Sequence, residues 1–378
     1  MGMGDQNRPE WTDPEKEENF TTTYMPGLKS KHDGMEQTNR KRFQKKDNAE
    51  LDIQEIAAKL VGGNRIALSK AITLIESNAK DHYQKAQELL TYLLPLAVPS
   101  IRIGITGVPG AGKSTFIEAF GILLCEMGYK VAVLAVDPSS TVTGGSILGD
   151  KTRMENLARH PNAFIRPSPS GGTLGGVHRK TRETVIACEA AGYDVLLIET
   201  VGVGQSEVMV RGMVDFFMLL ALTGAGDELQ GMKKGIMELA DAIVINKADG
   251  ENVTLARKTC REYNQILHFL LPATKGWQTR AFTCSALHGT GLEALWSVIQ
   301  KFKEKGEESG VFTERRHLQE KEWLYSMIRE KLENAFFDHP GVKRILPSLQ
   351  ASVIKGDVPV SKAVDSLFQE FQQNKPEV

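Results

Sequence analysis

Residues 107 to 115 read Gly107-Val-Pro-Gly-Ala-Gly-Lys-Ser-Thr115 and directly follow an apolar run, Ile101–Thr106. The stretch fits the pattern G-x-x-x-x-G-K-[ST], and a helical pattern, Phe116–Leu124, comes after it, as the pattern requires. Glycines here let backbone N–H groups turn toward a phosphate, and the N-terminus of the helix adds a favourable dipole. The stretch therefore predicts a phosphate-binding loop. Its lining residues are Gly107, Val108, Pro109, Gly110, Ala111, Gly112, Lys113, Ser114 and Thr115.

Two side chains of this loop carry the predicted chemistry. Lys113 is expected to reach the β- and γ-phosphates of a nucleoside triphosphate and to act in catalysis. The hydroxyl of Ser114 is expected to ligate Mg²⁺. The sequence thus predicts phosphoryl transfer that relies on positioning and on electrostatic stabilisation.

Short apolar runs alternate with helical stretches on both sides of this loop. Each run is apolar on both faces, which buried parallel strands require when helices cover both sides of the sheet. The alternation predicts an α/β phosphate-loop domain with a mostly parallel sheet at residues 100–305. The predicted strands are Ile101–Thr106, Val131–Val136, Val195–Glu199, Phe216–Leu222, Ala242–Asn246 and Ala281–Ser285.

A second motif, Asn246-Lys-Ala-Asp249, ends one of these strands and predicts recognition of guanine. The carboxylate of Asp249 can accept hydrogen bonds from N1–H and the 2-amino group of guanine together, a donor pair that adenine lacks. Lys247 is expected to lie along the base plane, and Asn246 to brace the loop and contact N7. The segment after the next strand is expected to close over the base with Ser285, Ala286 and Leu287. GTP and GDP are the predicted ligands.

Carboxylates at the ends of neighbouring strands are candidates for the Mg²⁺ site. Glu199 ends one strand before a glycine-bearing loop, and Asp137 ends another. Asp150 is either a third such residue or a helix cap or salt-bridge partner. Gln205 is a candidate for orienting the attacking water, with an ordinary polar loop residue as the alternative.

Helical patterns flank the α/β domain. Residues 49–99 show apolar residues at helical spacing and are expected to form an N-terminal helical segment. Gly306–Gly310 is charged and glycine-bearing and is interpreted as a linker into a C-terminal helical arm at 306–378. One face of that arm carries apolar side chains that either pack on the core or form a dimer contact. They are Leu324, Ile328, Leu332 and Phe336.

Composition narrows the class of protein. The chain has 378 residues, a formal net charge of −1 and a pI of about 6.7, so its charge does not predict binding to nucleic acid or to an anionic membrane. Four cysteines without a Cys-x-x-Cys pair argue against a zinc site and a disulfide framework, and reduced buried thiols are expected. The apolar runs are too short to span a bilayer and no signal peptide is evident, so we expect a cytoplasmic protein. Residues 1–48 are polar and are expected to form a flexible extension.

Taken together, these motifs resemble the methylmalonyl-CoA mutase-associated GTPases of the MeaB type and their mitochondrial counterpart linked to methylmalonic aciduria. Apart from the two nucleotide motifs, the resemblance rests on Leu134-Ala-Val-Asp-Pro-Ser-Ser140, Gly144-Gly-Ser-Ile-Leu-Gly-Asp-Lys-Thr-Arg-Met154, Ile165-Arg-Pro-Ser-Pro169, Gly172-Thr-Leu-Gly-Gly176, Ile198-Glu-Thr-Val-Gly-Val-Gly-Gln-Ser-Glu207 and Gly226-Asp-Glu-Leu-Gln-Gly231. It covers about residues 50 to 375.

The resemblance implies a role beyond hydrolysis. It makes Asp137, Asp150 and Glu199 residues of the Mg²⁺ side, and it makes Lys233 a switch-loop lysine that communicates the nucleotide state. It implies a homodimer joined by the C-terminal helices, and a chaperone that gates delivery of adenosylcobalamin to an acyl-CoA mutase, with methylmalonyl-CoA mutase expected first. Two alternatives are a metal-insertion GTPase, which would need a His-rich or Cys/His-clustered stretch, and a kinase linked to a transport system.

Overall fold

The computed structural model describes residues 52–136, 153–167, 174–200, 205–223 and 234–373. The expected extension at 1–48 lies outside the described residues, as do Asp137, Asp150 and Lys233. Gln205 is placed in a helix by its backbone only.

One sheet of seven strands organises the described part of the chain. The strands are β1 (Ile101–Gly107), β2 (Val131–Val136), β3 (Ala163–Arg166), β4 (Val195–Thr200), β5 (Phe216–Ala221), β6 (Ala242–Ile245) and β7 (Arg280–Thr283). Their order is β3-β2-β4-β1-β5-β6-β7, and every pairing is parallel. The predicted α/β class with a parallel sheet is confirmed. All carboxyl ends of the strands meet at one edge, where ligands of open α/β sheets bind.

Helices cover both faces of this sheet, and two more at the C-terminal end of the described residues pack on each other and on the long helix before them. They are α1 (Ile53–Val61), α2 (Arg65–Glu76), α3 (Lys80–Leu93), α4 (Lys113–Glu126), α5 (Glu155–Arg159), α6 (Leu174–Ala190), α7 (Gln205–Arg211), α8 (Lys234–Leu239), α9 (Asn252–Leu267), α10 (Leu292–Glu308), α11 (Val311–Phe337), α12 (Pro340–Lys355) and α13 (Val360–Gln373). Asp52 caps α1 and Asn64 caps α2 by accepting backbone N–H groups of the first turn.

The strands divide their apolar side chains among three hydrophobic clusters, and β4 contributes to two of them. On β4, Leu196 and Ile198 belong to a core that includes α1, α2 and α3, whereas Val195 and Leu197 belong to the core under α4 and α10. Successive side chains of a strand point to opposite faces, and each face here meets a helical layer. The N-terminal helices therefore pack as part of one layer of the α/β unit.

Three local features differ from the sequence interpretation. The edge strand β3 was not predicted, because four residues carry too little pattern to distinguish a strand from a loop. The linker expectation at Gly306–Gly310 is wrong in its first part, since α10 continues through Gly306 to Glu308 and the turn is confined to Ser309 and Gly310. A Cβ at position 306 would lie 2.6 Å from the ring of Phe312, so glycine there serves helix packing. Helix α12 was also not predicted.

Buried ion pairs tie the amino edge of the sheet to the start of α11. Arg316 donates from Nε and Nη2 to both carboxylate oxygens of Asp215, at 2.9 and 2.7 Å. Asp215 precedes β5, is 1% exposed, and also accepts the backbone N–H of Arg102 at 2.8 Å. Arg102 pairs in turn with both oxygens of Glu189 at 2.9 Å. Burial lowers the pKa of Arg316, but its hydrogen bond to Asp215 and the nearby negative charge raise the pKa more.

An amide side chain closes one lateral edge of the sheet. Asn264 on α9 accepts the backbone N–H of Ala281 at 3.0 Å and donates to the Ala281 carbonyl at 3.2 Å. Ala281 lies in β7, which pairs with β6 on its other side. The side chain of Asn264 thus takes the position that a further strand would occupy.

Within the described ranges no helix combines the length and apolar character needed to cross a membrane. The four cysteines are free thiols, and three of them are buried. Burial raises the pKa of the Cys125 thiol to about 11 and that of Cys284 to about 12, so these thiols stay protonated at neutral pH.

Candidate functional site

The phosphate-loop pattern lies where β1 ends and α4 begins. Gly110 and Gly112 adopt φ values of 84° and 82°, a left-handed region that disfavours side chains with a Cβ. A Cβ at Gly107 would lie 2.5 Å from the carbonyl oxygen of Leu220 on β5, so this position needs glycine for close backbone approach. The backbone therefore has the predicted order of strand, turn and helix, with the helix beginning at Lys113 rather than at Phe116.

Lys113 lies in the first turn of α4, directly after this loop. Its ammonium donates to the carbonyl of Gly107 at 2.7 Å and approaches that of Val108 at 3.5 Å. Burial lowers the pKa of Lys113, and the negative charges of Glu199 and Glu207 oppose that shift. The lysine thus bonds to neutral carbonyls of the loop itself, which are weaker partners for an ammonium than phosphate oxygens.

Ser114 and Glu199 form an oxygen pair beside this lysine. The hydroxyl of Ser114 lies 3.4 Å from a carboxylate oxygen of Glu199, which is half-buried near the end of β4. Mg²⁺ binds oxygen ligands and commonly takes only one or two from protein, keeping waters and substrate phosphates for the rest. Among the described residues no group of three His, Cys, Asp or Glu side chains could enclose a metal ion. Ser114 and Glu199 nevertheless have the donor chemistry that Mg²⁺ needs, while Asp137 and Asp150 lie outside the described residues.

Asn246 joins the phosphate loop to the predicted base loops. Its side-chain amide donates to the carbonyl of Ala111 at 2.8 Å, and its oxygen accepts the backbone N–H of Ala286 at 3.2 Å. It is 2% exposed, and a Cβ at Gly112 would lie 2.9 Å from its amide nitrogen. The predicted bracing role of Asn246 therefore has a direct geometric basis. The N–H of Ala286, expected to face a base, bonds to this amide.

Asp249 lies across from Ser285, the residue predicted to share the base site. The hydroxyl of Ser285 donates to a carboxylate oxygen of Asp249 at 2.5 Å, and the N–H of Ala248 bonds to the Cys284 carbonyl at 2.9 Å. Lys247 is exposed and has φ of 58°, the one left-handed residue other than glycine in the described chain. Such a conformation costs about 1 kcal/mol or more and is concentrated at functional sites. Leu287 is 74% exposed at the rim.

Three buried polar residues that the sequence motifs do not identify lie beneath the phosphate loop, Thr106, Thr200 and Glu207. Each is 1% exposed. The two threonines lie at or next to the carboxyl end of a strand, which is the one signal in the sequence, and Glu207 lies in a short helix. Lys233 and the segments 137–152, 201–204 and 224–233 lie outside the described residues.

The chain matches one family along most of its length. The profile of the family described as "Methylmalonyl Co-A mutase-associated GTPase MeaB" matches residues 68–341. The GTPase ArgK of Escherichia coli is 50% identical over 288 residues, which cover 76% of this chain and 87% of that protein. A mitochondrial methylmalonic aciduria type A homolog of Mus musculus is 43% identical over 336 residues, covering 86% of this chain and 81% of that protein.

A solved structure shares the fold as well as the sequence. The crystal structure of a LAO/AO transport system kinase superposes with a TM-score of 0.69 and 40% sequence identity, covering 86% of this chain and 99% of that chain. The similarity therefore extends well beyond the two nucleotide motifs.

Proposed function

Because this chain belongs to the family of methylmalonyl Co-A mutase-associated GTPases of the MeaB type, it is a GTP hydrolase, and we propose that it serves an acyl-CoA mutase. The partner is an adenosylcobalamin-dependent acyl-CoA mutase, with methylmalonyl-CoA mutase as the first candidate. Hydrolysis of GTP gates delivery of the cofactor and protects or reactivates the mutase. The observation that carries the proposed partner is the match to this family over residues 68–341. The nucleotide site is supported by the bracing amide of Asn246, which bonds both to the phosphate loop and to Ala286.

The geometry of the phosphate loop supports the following division of work. Backbone N–H groups of the loop and Lys113 bind the β- and γ-phosphates, and Lys113 exchanges its carbonyl partners for phosphate oxygens. Ser114 and Glu199 would hold Mg²⁺, with Asp137 and Asp150 as further proposed ligands. When bound, Mg²⁺ neutralises charge on the β- and γ-oxygens. Water attacks the γ-phosphate in line with the leaving oxygen.

Guanine recognition is assigned to Asp249. Its carboxylate accepts from N1–H and the 2-amino group of the base, and the hydroxyl of Ser285 fixes its orientation. Lys247 lies along the base plane, and Leu287 covers its rim. Since Asn246 bonds to Ala111, binding of the base and binding of the phosphates act on one connected set of hydrogen bonds.

We propose that hydrolysis is slow in the isolated chain and that the mutase raises its rate. Arg153 is exposed at the start of the described range 153–167, and with Lys233 it is a candidate for supplying a second positive charge. Turnover is measured with and without purified mutase under saturating GTP. Equal rates would refute acceleration by the partner.

Capture of the partner tests the central proposal. The tagged chain is used to pull down proteins from source lysate with GDP and, separately, with a non-hydrolysable GTP analogue. Recovery of a cobalamin-dependent mutase in amounts that depend on the nucleotide supports the proposal. The alternative, the kinase activity named for the solved relative, predicts a labelled acceptor protein after incubation with γ-labelled GTP, whereas hydrolysis alone releases free phosphate.

The C-terminal helices are proposed to join two copies of the chain. Apolar side chains on α11 are largely exposed, including Leu324 at 59% and Leu332 at 65%. Exposed apolar faces of this kind mark interfaces. We therefore propose that residues 306–378 form a dimer arm. The rest of the chain is divided into a helical segment at 49–99 and a GTPase domain at 100–305. Light scattering of the intact chain and of a Leu324→Glu/Leu332→Glu variant tests the dimer arm, since a dimeric variant would refute it.

A further inference from the structure

Three buried polar side chains form a hydrogen-bond chain directly beneath the phosphate loop. The hydroxyl of Thr200 lies 2.9 Å from that of Thr106, and the hydroxyl of Thr106 lies 3.3 Å from a carboxylate oxygen of Glu207. All three residues are 1% exposed. A buried carboxylate carries a desolvation cost, and retaining one where apolar side chains would fit calls for an explanation.

The hydrogen bonds in this series all run in one direction, from Thr200 toward Glu207. A hydroxyl group has one proton to donate, and an ionised carboxylate can only accept. Thr200 therefore donates to Thr106, and Thr106 donates to Glu207. The carboxylate fixes the rotamer of the Thr106 hydroxyl, which in turn presents its lone pairs to Thr200.

This hydrogen-bond chain connects three structural elements around the site. Thr106 immediately precedes Gly107, whose carbonyl accepts Lys113, and Thr200 immediately follows Glu199, which pairs with Ser114. Glu207 lies on α7, after the segment that follows Thr200. Thus the Thr106 side chain on β1 is hydrogen-bonded both to Thr200, the neighbour of Glu199, and to Glu207 on helix α7.

Packing explains why α7 can reach β1. Gly104 lies two residues before Thr106, on the same face of β1, and a Cβ there would lie 3.0 Å from Val210 and 3.1 Å from Val214. Val210 is three residues after Glu207, so both side chains point from one face of α7 toward the strand. The absence of a side chain at Gly104 brings Glu207 within hydrogen-bond distance of Thr106.

We infer that Glu207 is a positioning residue for GTP hydrolysis, acting through Thr106 and Thr200 to hold Glu199 and the phosphate loop in fixed relation. The inference rests on the proposed nucleotide site and does not depend on the identity of the partner. Reacting groups that shift by about 1 Å commonly lose about 100-fold in rate, so a residue that fixes strand ends affects the chemical step more than binding.

The test uses the full chain without a partner and compares two conservative pairs of variants. Glu207→Ala removes the acceptor, and Glu207→Gln keeps an oxygen that can accept from Thr106. Thr106→Val removes the hydroxyl, and Thr106→Ser keeps it. Glu293→Gln, an exposed carboxylate on α10, is the control. For each, kcat and KM for GTP are measured per nucleotide-binding site, with sites titrated by a fluorescent GDP analogue.

We expect Glu207→Ala and Thr106→Val each to lower kcat about tenfold or more while KM changes less than about threefold. Glu207→Gln and Thr106→Ser should recover most of kcat, and the Glu207→Ala/Thr106→Val double variant should be no slower than the slower single variant. If Glu207→Ala does not fold, the Thr106 pair decides. Wild-type kcat in both deletion variants, loss through KM alone, additive effects, or a Gln variant as slow as the Ala variant would each overturn the inference. Failure of the wild-type chain to bind or hydrolyse GTP would instead count against the proposed nucleotide site.

Discussion

The two edges of the sheet use charged side chains in opposite ways. At the amino edge Arg316, Asp215, Arg102 and Glu189 pair with one another through short, largely bidentate hydrogen bonds. At the carboxyl edge, within the described residues, Lys113 donates to backbone carbonyls of its own loop, and Ser114 makes a long contact of 3.4 Å with Glu199.

The difference separates charges that hold the fold from charges that await a ligand. Buried ions with complete partners stabilise the arrangement in which they are paired, and removing one partner leaves the other uncompensated. A desolvated ammonium with neutral partners gains most when an anion replaces them. Substitutions at the amino edge should therefore lower stability, and those at the carboxyl edge should lower activity or affinity.

The largest expected effect is on hydrolysis when Lys113 is replaced. Lys113→Ala should lower the rate of phosphate release by about 1,000-fold, because a preorganised positive charge at the γ-phosphate is lost. Its free energy of unfolding without nucleotide should stay close to that of the parent, since the charge removed is partly desolvated and donates to neutral carbonyls. Single-turnover phosphate release and denaturant titration measure the two quantities. Lys301→Ala, an exposed lysine on α10, is the control. A phosphate-release rate of Lys113→Ala within tenfold of the parent would contradict the assignment of this charge to ligand binding.

The opposite pattern is expected for Asp215. Asp215→Asn should lower the free energy of unfolding by about 3 kcal/mol, because Arg316 loses its charged partner in a buried site. The affinity of the folded fraction for GDP should not change. Urea titration with and without nucleotide measures both.

The matched control for Asp215 is an exposed pair. Lys343 and Asp338 are 2.8 Å apart, with side chains 60% and 73% exposed. Asp338→Asn should cost less than about 1 kcal/mol. Equal losses in the free energy of unfolding at Asp215 and Asp338 would show that the buried ion pairs stabilise the fold no more than an exposed pair does.

The third effect concerns the choice of base. Asp249→Asn should weaken GTP binding by about 100-fold, because the amide presents a donor where guanine presents its own. The same variant should gain affinity for xanthosine triphosphate, whose base has a carbonyl at that position. Competition against a fluorescent GDP analogue measures both affinities. Asp365→Asn, an exposed residue on α13, controls for the loss of charge. An unaltered preference for guanine would remove Asp249 from the base site.

The smallest effect is expected for a change in stability at Gly104, in the middle of β1 between the amino and carboxyl ends of the strands. Gly104→Ala places a Cβ 2.7 Å from Phe217 and near Val210, so α7 or the strand must shift, at a cost of about 1–2 kcal/mol. Gly235→Ala, in helix α8, meets nothing within 4 Å and should be neutral or slightly stabilising. Thermal unfolding of both variants separates packing from a general effect of added methyl groups. Identical shifts in Tm would contradict the packing argument.

Local patterns in the sequence were sufficient for the nucleotide loops and for most of the strands. The loop at Gly107 and the motif at Asn246 each lie at the end of a predicted strand. They could be predicted because neighbouring residues in the sequence specify their backbone geometry. The bond from Asn246 to Ala111 spans 135 positions, and that from Thr106 to Glu207 spans 101. Such contacts depend on strand order, which no local pattern contains.

The same limit explains the misread linker and the unpredicted strand. Gly306 breaks a helical pattern when only sequence neighbours are considered, but the ring of Phe312 occupies the space that a side chain would need. Strand β3 exists because β2 offers it a partner. Homodimer formation by the C-terminal helices and the roles assigned to individual site residues stay predictions.

The amide of Asn264 has a consequence for how copies of this protein meet in a crowded solution. An open strand edge lets one sheet extend into the next, and such growth has no natural end, as in fibrils. At β7 the backbone of Ala281 is already engaged on its outer side by Asn264. Strand β3 at the opposite edge has only four residues and is followed by Pro167, which has no N–H to donate. Both lateral edges of the sheet thus discourage pairing with a strand of another copy, and we expect little edge-to-edge association of the protein at high concentration.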